Sequence, residues 1–376
     1  MKRTNPSGRR VRAGLAVGVG AVVALSSATA VDAAAPASRG HDGQVYAISN
    51  DPAGNALLVF NRSEDGSLTA AAPIPTGGTG TGMGLGSQGS VVVSGDGRYV
   101  LAVNPGSDQV SLFAEVGNEL VLVDTEASGG DLPTSVTVDG RNVYVLNTGV
   151  GNNISGFRIS RDGLDSVAGS IQPLSQEGAA AAQVSFTPDG NHVVVTERNT
   201  NRIDTFRVKR RGAEPAVVNQ STGVTPFGFD FGRSGELLVS NANGGAPGGS
   251  SVSSYTVGRD GVLTPIDGPD PTFQTSACWL AVAGRNAFTA NTGSGTLTGF
   301  GVDGRGRTEL LEADGISATV GTTPIDLDTT DDEEYLYQLN GADDSIGVFA
   351  VSRDGDLTNL GFVTGLPATA VGLAAQ

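Results

Sequence analysis

From residue 44 onward, apolar and polar residues alternate in runs of four to seven, and each run stops at a tight-turn sequence. A period of two marks half-buried strands, and Asp-Gly between such runs marks antiparallel hairpins. Asp96-Gly97, Asp139-Gly140 and Asp189-Gly190 occupy the first turn of a unit, and Asp65-Gly66, Asp162-Gly163, Asp260-Gly261 and Asp354-Gly355 the second. The clearest unit has a strand at Gln183–Phe186, the turn Pro188-Asp189-Gly190, a strand from His192 to Glu197, a polar loop, and a strand from Arg202 to Phe206.

The residue that ends strand two recurs as Asn50, Asn104, Asn147, Glu197, Asn241, Asn291 and Asn340. An aromatic residue ends strand three as Phe60, Phe113, Phe157, Phe206, Tyr255, Phe300 and Phe349, and an insertion at Asn243–Gly249 lengthens unit five. Seven units of about 48 residues predict an all-β fold, a seven-bladed β-propeller of four-stranded antiparallel blades. A solenoid would need shorter repeats and terminal caps. Unit one starts directly at its second strand, Gln44–Ser49, while the tail Pro367–Ala375 reads as a first strand with no second. The ring is therefore expected to close through the C-terminal strand, which removes its open edges.

This places a single propeller domain over residues 44–376, after a short linker at 31–43. Residues 1–30 read as a secretory signal peptide: Lys2, Arg3, Arg9, Arg10 and Arg12 precede the apolar run Ala13–Leu25. Cleavage is expected somewhere in 30–40, after Ala28-Thr29-Ala30 or near Ala33–Ala35. Arg9-Arg10 allows a twin-arginine export reading, although the residues that should follow it are absent. The apolar run is too short and too rich in Gly and Ala for a membrane span.

Of 23 basic residues, five leave with the signal, so 18 face 39 acidic ones and the mature chain carries a net charge of −21. Such acidity opposes binding to nucleic acid and anionic membranes and also keeps an exported, Gly-rich monomer soluble. The sole cysteine, Cys278, has no disulfide partner in the chain and lies in an apolar run, as a small buried hydrophobe would. At roughly 340 mature residues, burial alone suffices, since a domain of this size covers about three quarters of its unfolded surface.

In an antiparallel blade, the start of strand one and the end of strand two share one end beside the channel, and the Asp-Gly turns lie at the other. The irregular segments 77–89, 175–182 and 243–250 therefore gather on the first face, the expected binding face. The stretch Gly77–Gly89 has phosphate-loop-like glycine spacing, but no Gly-Lys-Ser/Thr ending and no following helix, so it reads as a flexible rim or lid. Asn104, Asn147, Asn241, Asn291 and Asn340 read either as corner residues that bond nearby amides or as a ligand-binding rim. Glu197 breaks this Asn rule, as a structural variant or as a functional acid. The two histidines, His41 and His192, do not suit a metal centre or a Ser-His-Asp triad at the mouth, and Lys209 lies on the far face. The acidic run 331–334 sits in a first turn as a solvated cluster. No cofactor is expected, with Ca²⁺ held in the channel by amide and carboxylate oxygens, Glu197 included, as the one open alternative.

Thr187-Pro188-Asp189-Gly190, the strand ending Val195-Thr196-Glu197, and Asn201 to Phe206, repeated around the chain, resemble the bacterial lactonase family of seven-bladed propellers, which includes 6-phosphogluconolactonase and carboxymuconate cyclase relatives. The resemblance spans residues 44–376. It implies a His, two Arg and a Glu around the channel mouth. The Glu falls on Glu197, the His on about Thr134, one Arg near Ala181 or Ala182, and the other on Ala242, so three of the four roles are missing. Arg198 supplies a cation from a shifted position, although neighbours on an extended segment point to opposite sides. Two functions follow. One is a lactone hydrolase of the carboxylic ester type acting on a small neutral lactone or sugar-like ligand, with Glu197 as general base and Arg198 beside it. The other is a non-catalytic extracellular or cell-wall-associated scaffold for a peptide, glycan or protein partner.

Overall fold

The computed structural model describes residues 43–117 and 119–376, which belong to the unit Gly40–Gln376. The expected signal peptide, its cleavage region and nearly all of the linker lie outside the described residues. The described residues form seven antiparallel sheets, each a blade of four strands numbered outward from the channel, and in four blades the outermost strand is split in two. Together they make the seven-bladed propeller that the repeat predicts.

Blade 4 illustrates the local logic. Its strands are Ala181–Phe186, His192–Glu197, Arg202–Lys209 and Val217–Gln220. His192–Glu197 is dominated by β-branched residues and is buried along its whole length, as a strand sandwiched between neighbouring blades should be. Its entry turn is fixed by Thr187 Oγ1, which donates to Asp189 Oδ1 at 2.7 Å, and by the Gly190 amide, which donates to the Thr187 carbonyl at 2.8 Å. Gly190 has φ +67°, a left-handed conformation that costs other residues more than glycine.

The seven aromatic residues that end strand three are all buried. Phe206, for example, packs with Tyr144, Leu146 and Ile154 of blade 3 as well as with its own blade. Between the innermost strands, side chains carry the bonding from blade to blade. Asp230 Oδ2 accepts from the Val282 amide at 2.9 Å, and Asp326 and Asp328 accept from the amides of Leu373 and Ala375 at 3.1 and 2.9 Å.

The last of these contacts belong to the closure. Val371–Ala375 forms the innermost strand of blade 1, antiparallel to Gly43–Ile48, with Val45 opposite Ala375 and Ile48 opposite Val371. The C-terminal strand therefore seals the ring against the first strand of the described chain, as the missing half-units at the two ends required.

Candidate functional site

The strand-two asparagines are interior residues. Asn104, Asn147, Asn241, Asn291 and Asn340 have no exposed side-chain surface. Each points along the blade to strand three, where the residue two beyond its pairing partner carries a hydroxyl in four of these blades. Asn104 Nδ2 donates to Ser111 Oγ at 2.7 Å, Asn147 to Ser155 at 3.2 Å, Asn241 to Ser253 at 3.0 Å and Asn291 to Thr298 at 2.9 Å. Asn340 instead reaches Ser345 at 3.3 Å. Thr134 is buried too, and its carbonyl accepts from Ser87 Oγ. The five asparagines tie strands two and three together inside their blades, as corner residues do, and none of them presents side-chain surface at the mouth.

Blade 4 changes every member of the arrangement. Glu197 replaces the Asn, and the diagonal partner that is Ser or Thr in four other blades is Asp204. In four blades a glycine backbone lies so close to the Asn that a Cβ would collide with it: Gly78, Gly130, Gly223 and Gly321. In blade 4 the residue against the acid is Ser175. Its amide donates both to Glu197 Oε1 at 3.0 Å and to Asp204 Oδ2 at 2.9 Å, and its hydroxyl donates to Glu197 Oε2 at 2.5 Å. Thr200 Oγ1 donates to the same Oε2 at 2.5 Å, and Arg202 Nη1 to Ser175 Oγ at 3.1 Å. Glu197 and Asp204 are both fully buried. Burial and the facing charge of Glu197 push the Asp204 carboxyl well above the usual range.

Glu197 thus faces strand three and the loop before its blade, while the next residue faces the channel. Arg198 Nε donates to the Ala180 carbonyl at 2.8 Å, and its guanidinium carbon lies 5.2 Å from the centre of the Phe227 ring. Phe227 packs on Trp279 at 4.9 Å between ring centres. Among the described residues no carboxylate pairs with Arg198, and burial pulls its pKa down from the usual arginine value. The backbone of Gly86 passes so near that a Cβ there would lie 3.0 Å from Arg198 Nη1. Cys278, whose thiol burial pushes up to about 12, lies within electrostatic reach of Arg198 and is not a thiolate at neutral pH.

The Gly-rich segment is an anchored plug. Ser87 and Gln88 at its end are buried. Ser87 Oγ bonds the Thr134 carbonyl at 2.8 Å, the Gln88 amide bonds the Ala182 carbonyl at 2.9 Å, and Trp279 Nε1 donates to the Ser87 carbonyl at 2.8 Å. Two positions where the resemblance implies a His and an Arg, Thr134 and Ala182, are therefore bonded through their carbonyls to Ser87 and Gln88 of this segment. Ala181 and Ala242 are buried as well.

Charge divides sharply between the faces. Among the described residues, Arg198 and Arg202 are the basic residues of the loop-bearing face; the others lie in the opposite turns or in strand ends leading to them. Asp51, Asp108, Asp131, Glu177, Asp343 and Asp344 give the loop-bearing face its negative charge. Among the described residues no group of three or more His, Cys, Asp or Glu is gathered closely enough to hold a metal ion.

Sequence reading singled out Glu197 and Arg198 but missed Ser175, Arg202 and Asp204. One signal was available: Asp204 stands seven residues after its strand-two terminus, the spacing that carries Ser111 after Asn104 and Thr298 after Asn291.

Closed seven-bladed rings with a loop-bearing mouth of this kind define a class of propellers, and the comparisons specify it. The family model for the lactonase seven-bladed β-propeller matches residues 53–164 and 164–246, over half of the chain. The protein belongs to the lactonase family of seven-bladed β-propellers. A 6-phosphogluconolactonase of Yersinia enterocolitica is 24% identical over 236 residues, which cover 49% of this chain and 70% of that protein. In fold, the chain is similar to the periplasmic gluconolactonase of Pseudomonas aeruginosa, with TM-score 0.67, 17% identity and coverage of 89% of this chain and 98% of that one. It is also similar to a protein from Lactobacillus plantarum, with TM-score 0.69, 18% identity and coverage of 89% and 99%.

Proposed function

We propose that the protein is an exported lactone-binding and ring-opening propeller whose ligand is a small lactone with at most one negative charge, held at the channel mouth beside Arg198. Family membership and the related 6-phosphogluconolactonase support the reaction class. The observation that carries the proposal is Arg198 itself. A half-buried guanidinium with no carboxylate partner is a costly arrangement, and an incoming carboxylate or developing alkoxide relieves the cost.

The charge of the face limits the choice of ligand. A phosphorylated lactone would have to approach several carboxylates with two arginines to offset them, and the family's other cationic positions are alanines here. A panel of neutral aldonolactones and their phosphorylated counterparts, followed by pH-stat, tests this: neutral lactones should open at least about tenfold faster at equal concentration, an amount set by one charged hydrogen bond. Preference for the phosphorylated compounds would overturn the ligand assignment.

A second reading, a non-catalytic partner-binding propeller, has one observation in its favour. Met83, Val150, Val224 and Phe273 on the loop-bearing face are each about half exposed or more, with Val150 at 88%. A stoichiometric partner recovered with the protein, without lactone turnover, would favour it.

A further inference from the structure

We propose that Ser175 is an activated nucleophile, with Glu197 as its base and Asp204 as the third group buried beside that base, and that it accepts acyl groups from strained or activated esters. This goes beyond lactone binding at Arg198 and does not depend on it.

The geometry has the parts that nucleophilic catalysis needs: a hydroxyl bonded to a base, and a base oriented by a third group. Ser175 is partly exposed, and its hydroxyl proton points at Glu197 Oε2 at 2.5 Å. Glu197 accepts two further bonds, from the Ser175 amide and Thr200, which fix its orientation. Asp204 is tied to the same group, because its Oδ2 accepts from the Ser175 amide at 2.9 Å, while its Oδ1 is buried without a hydrogen-bond partner. Arg202 Nη1 lies 3.1 Å from Ser175 Oγ, and among the described residues the backbone amide of Gln176, the next residue, is unpartnered. An oxyanion formed on Ser175 would have a cation and an amide within reach.

The coordinated change argues against an accident of packing. Six blades hold an Asn at this corner, four of them with a hydroxyl diagonal to it and four with a glycine against it, a tie without acids. Blade 4 substitutes at all three positions and buries two acids, an expensive way to hold two strands together.

In the reaction, Ser175 Oγ bonds to the carbonyl carbon, its proton passes to Glu197, and the carbonyl oxygen becomes the oxyanion. On collapse the bond from the acyl carbon to the leaving oxygen breaks, and that oxygen takes the proton from Glu197. Water repeats the sequence on the Ser175 ester and releases the acid. With a lactone, the leaving oxygen remains attached as the new hydroxyl.

The test is reaction of the full chain with 4-nitrophenyl acetate, following nitrophenolate release together with intact mass and peptide mapping. The wild type should release nitrophenolate above the buffer rate and carry one acetyl group on Ser175 at early times. Ser175→Ala should lose both signals. The double variant Glu197→Asn with Asp204→Ser, which installs the pair used in other blades, should fold with an equal or higher melting temperature and acylate at least about 100-fold more slowly. Lys209→Met, on the opposite face, should acylate like the wild type, and because acylation is read at Ser175 and lactone opening at Arg198, this proposal and the lactone reading fail separately. Acylation retained by Ser175→Ala or by the double variant, or no reaction above buffer in the wild type, would overturn the proposal.

Discussion

The side-chain amide of Gln88, in the loop that enters blade 2, pairs with both backbone groups of Leu280 in the innermost strand of blade 6, a blade that is not its neighbour around the ring. Nε2 donates to the Leu280 carbonyl at 2.7 Å, and Oε1 accepts from its amide at 3.1 Å. This tie crosses the channel from the entry of blade 2 to the innermost strand of blade 6, and it converts the end of a glycine-rich loop into a brace.

Removing the brace should therefore be costly. Gln88→Ala leaves two buried groups of Leu280 unpaired, each worth about 1–3 kcal/mol. A drop in melting temperature of several degrees is expected in scanning calorimetry. An unchanged transition would show that water replaces the amide without loss.

Closure gives a second prediction. Deleting residues 366–376 removes the innermost strand of blade 1 and strips Asp326 and Asp328 of the amides they accept from. Loss of the cooperative transition, or a large fall in its midpoint, is expected by circular dichroism. A truncated chain that melts like the parent would contradict closure by this strand.

Acidity should stabilise the fold. Burial raises Asp230 to about 6 and Asp328 to about 7, and moves Asp326 well above its ordinary value, aided by the charge of Asp328. In the unfolded chain these carboxyls lose their protons near pH 4. The native state thus holds more protons across the window from about pH 4 to 7, and stability falls as pH rises through it. Asp303, lowered to about 2 by hydrogen bonds from the Arg307 segment, acts in the opposite sense only below about pH 4. Melting temperatures should be higher at pH 5 than at pH 7.5, and a flat or rising profile would count against the buried aspartates.

The blade interfaces make a fourth prediction. Phe206 is fully buried between blades 3 and 4, so Phe206→Ala should cost about 3–5 kcal/mol in urea unfolding. A loss under about 1 kcal/mol would mean that the interface collapses to fill the space.

Architecture was legible in the sequence because it is periodic. The Asn series, the aromatic series and the unmatched half-units at the two ends each identify the ring, since every blade solves the same packing problem with the same residues. The site was legible only where it broke that period, at Glu197. Its partners Asp204 and Ser175 break it too, but they belong to different strands and loops, and only the diagonal register across strands two and three brings them together. Gln88 had no local signal, because its partner lies 192 residues away. The glycines from Gly77 to Gly86 read as freedom to move, yet Gly86 is there to let the backbone pass Arg198, and the segment ends in buried, fully bonded residues.

The central claim is that the loop-bearing mouth works on lactones through Arg198. Its most direct test is steady-state kinetics of Arg198→Met beside the parent on the fastest neutral lactone of the panel. The account predicts kcat/KM lowered by about 10- to 100-fold with the melting temperature within a few degrees of the parent, the loss expected for one charged hydrogen bond to ligand or transition state. Equal kcat/KM in the two proteins would contradict it.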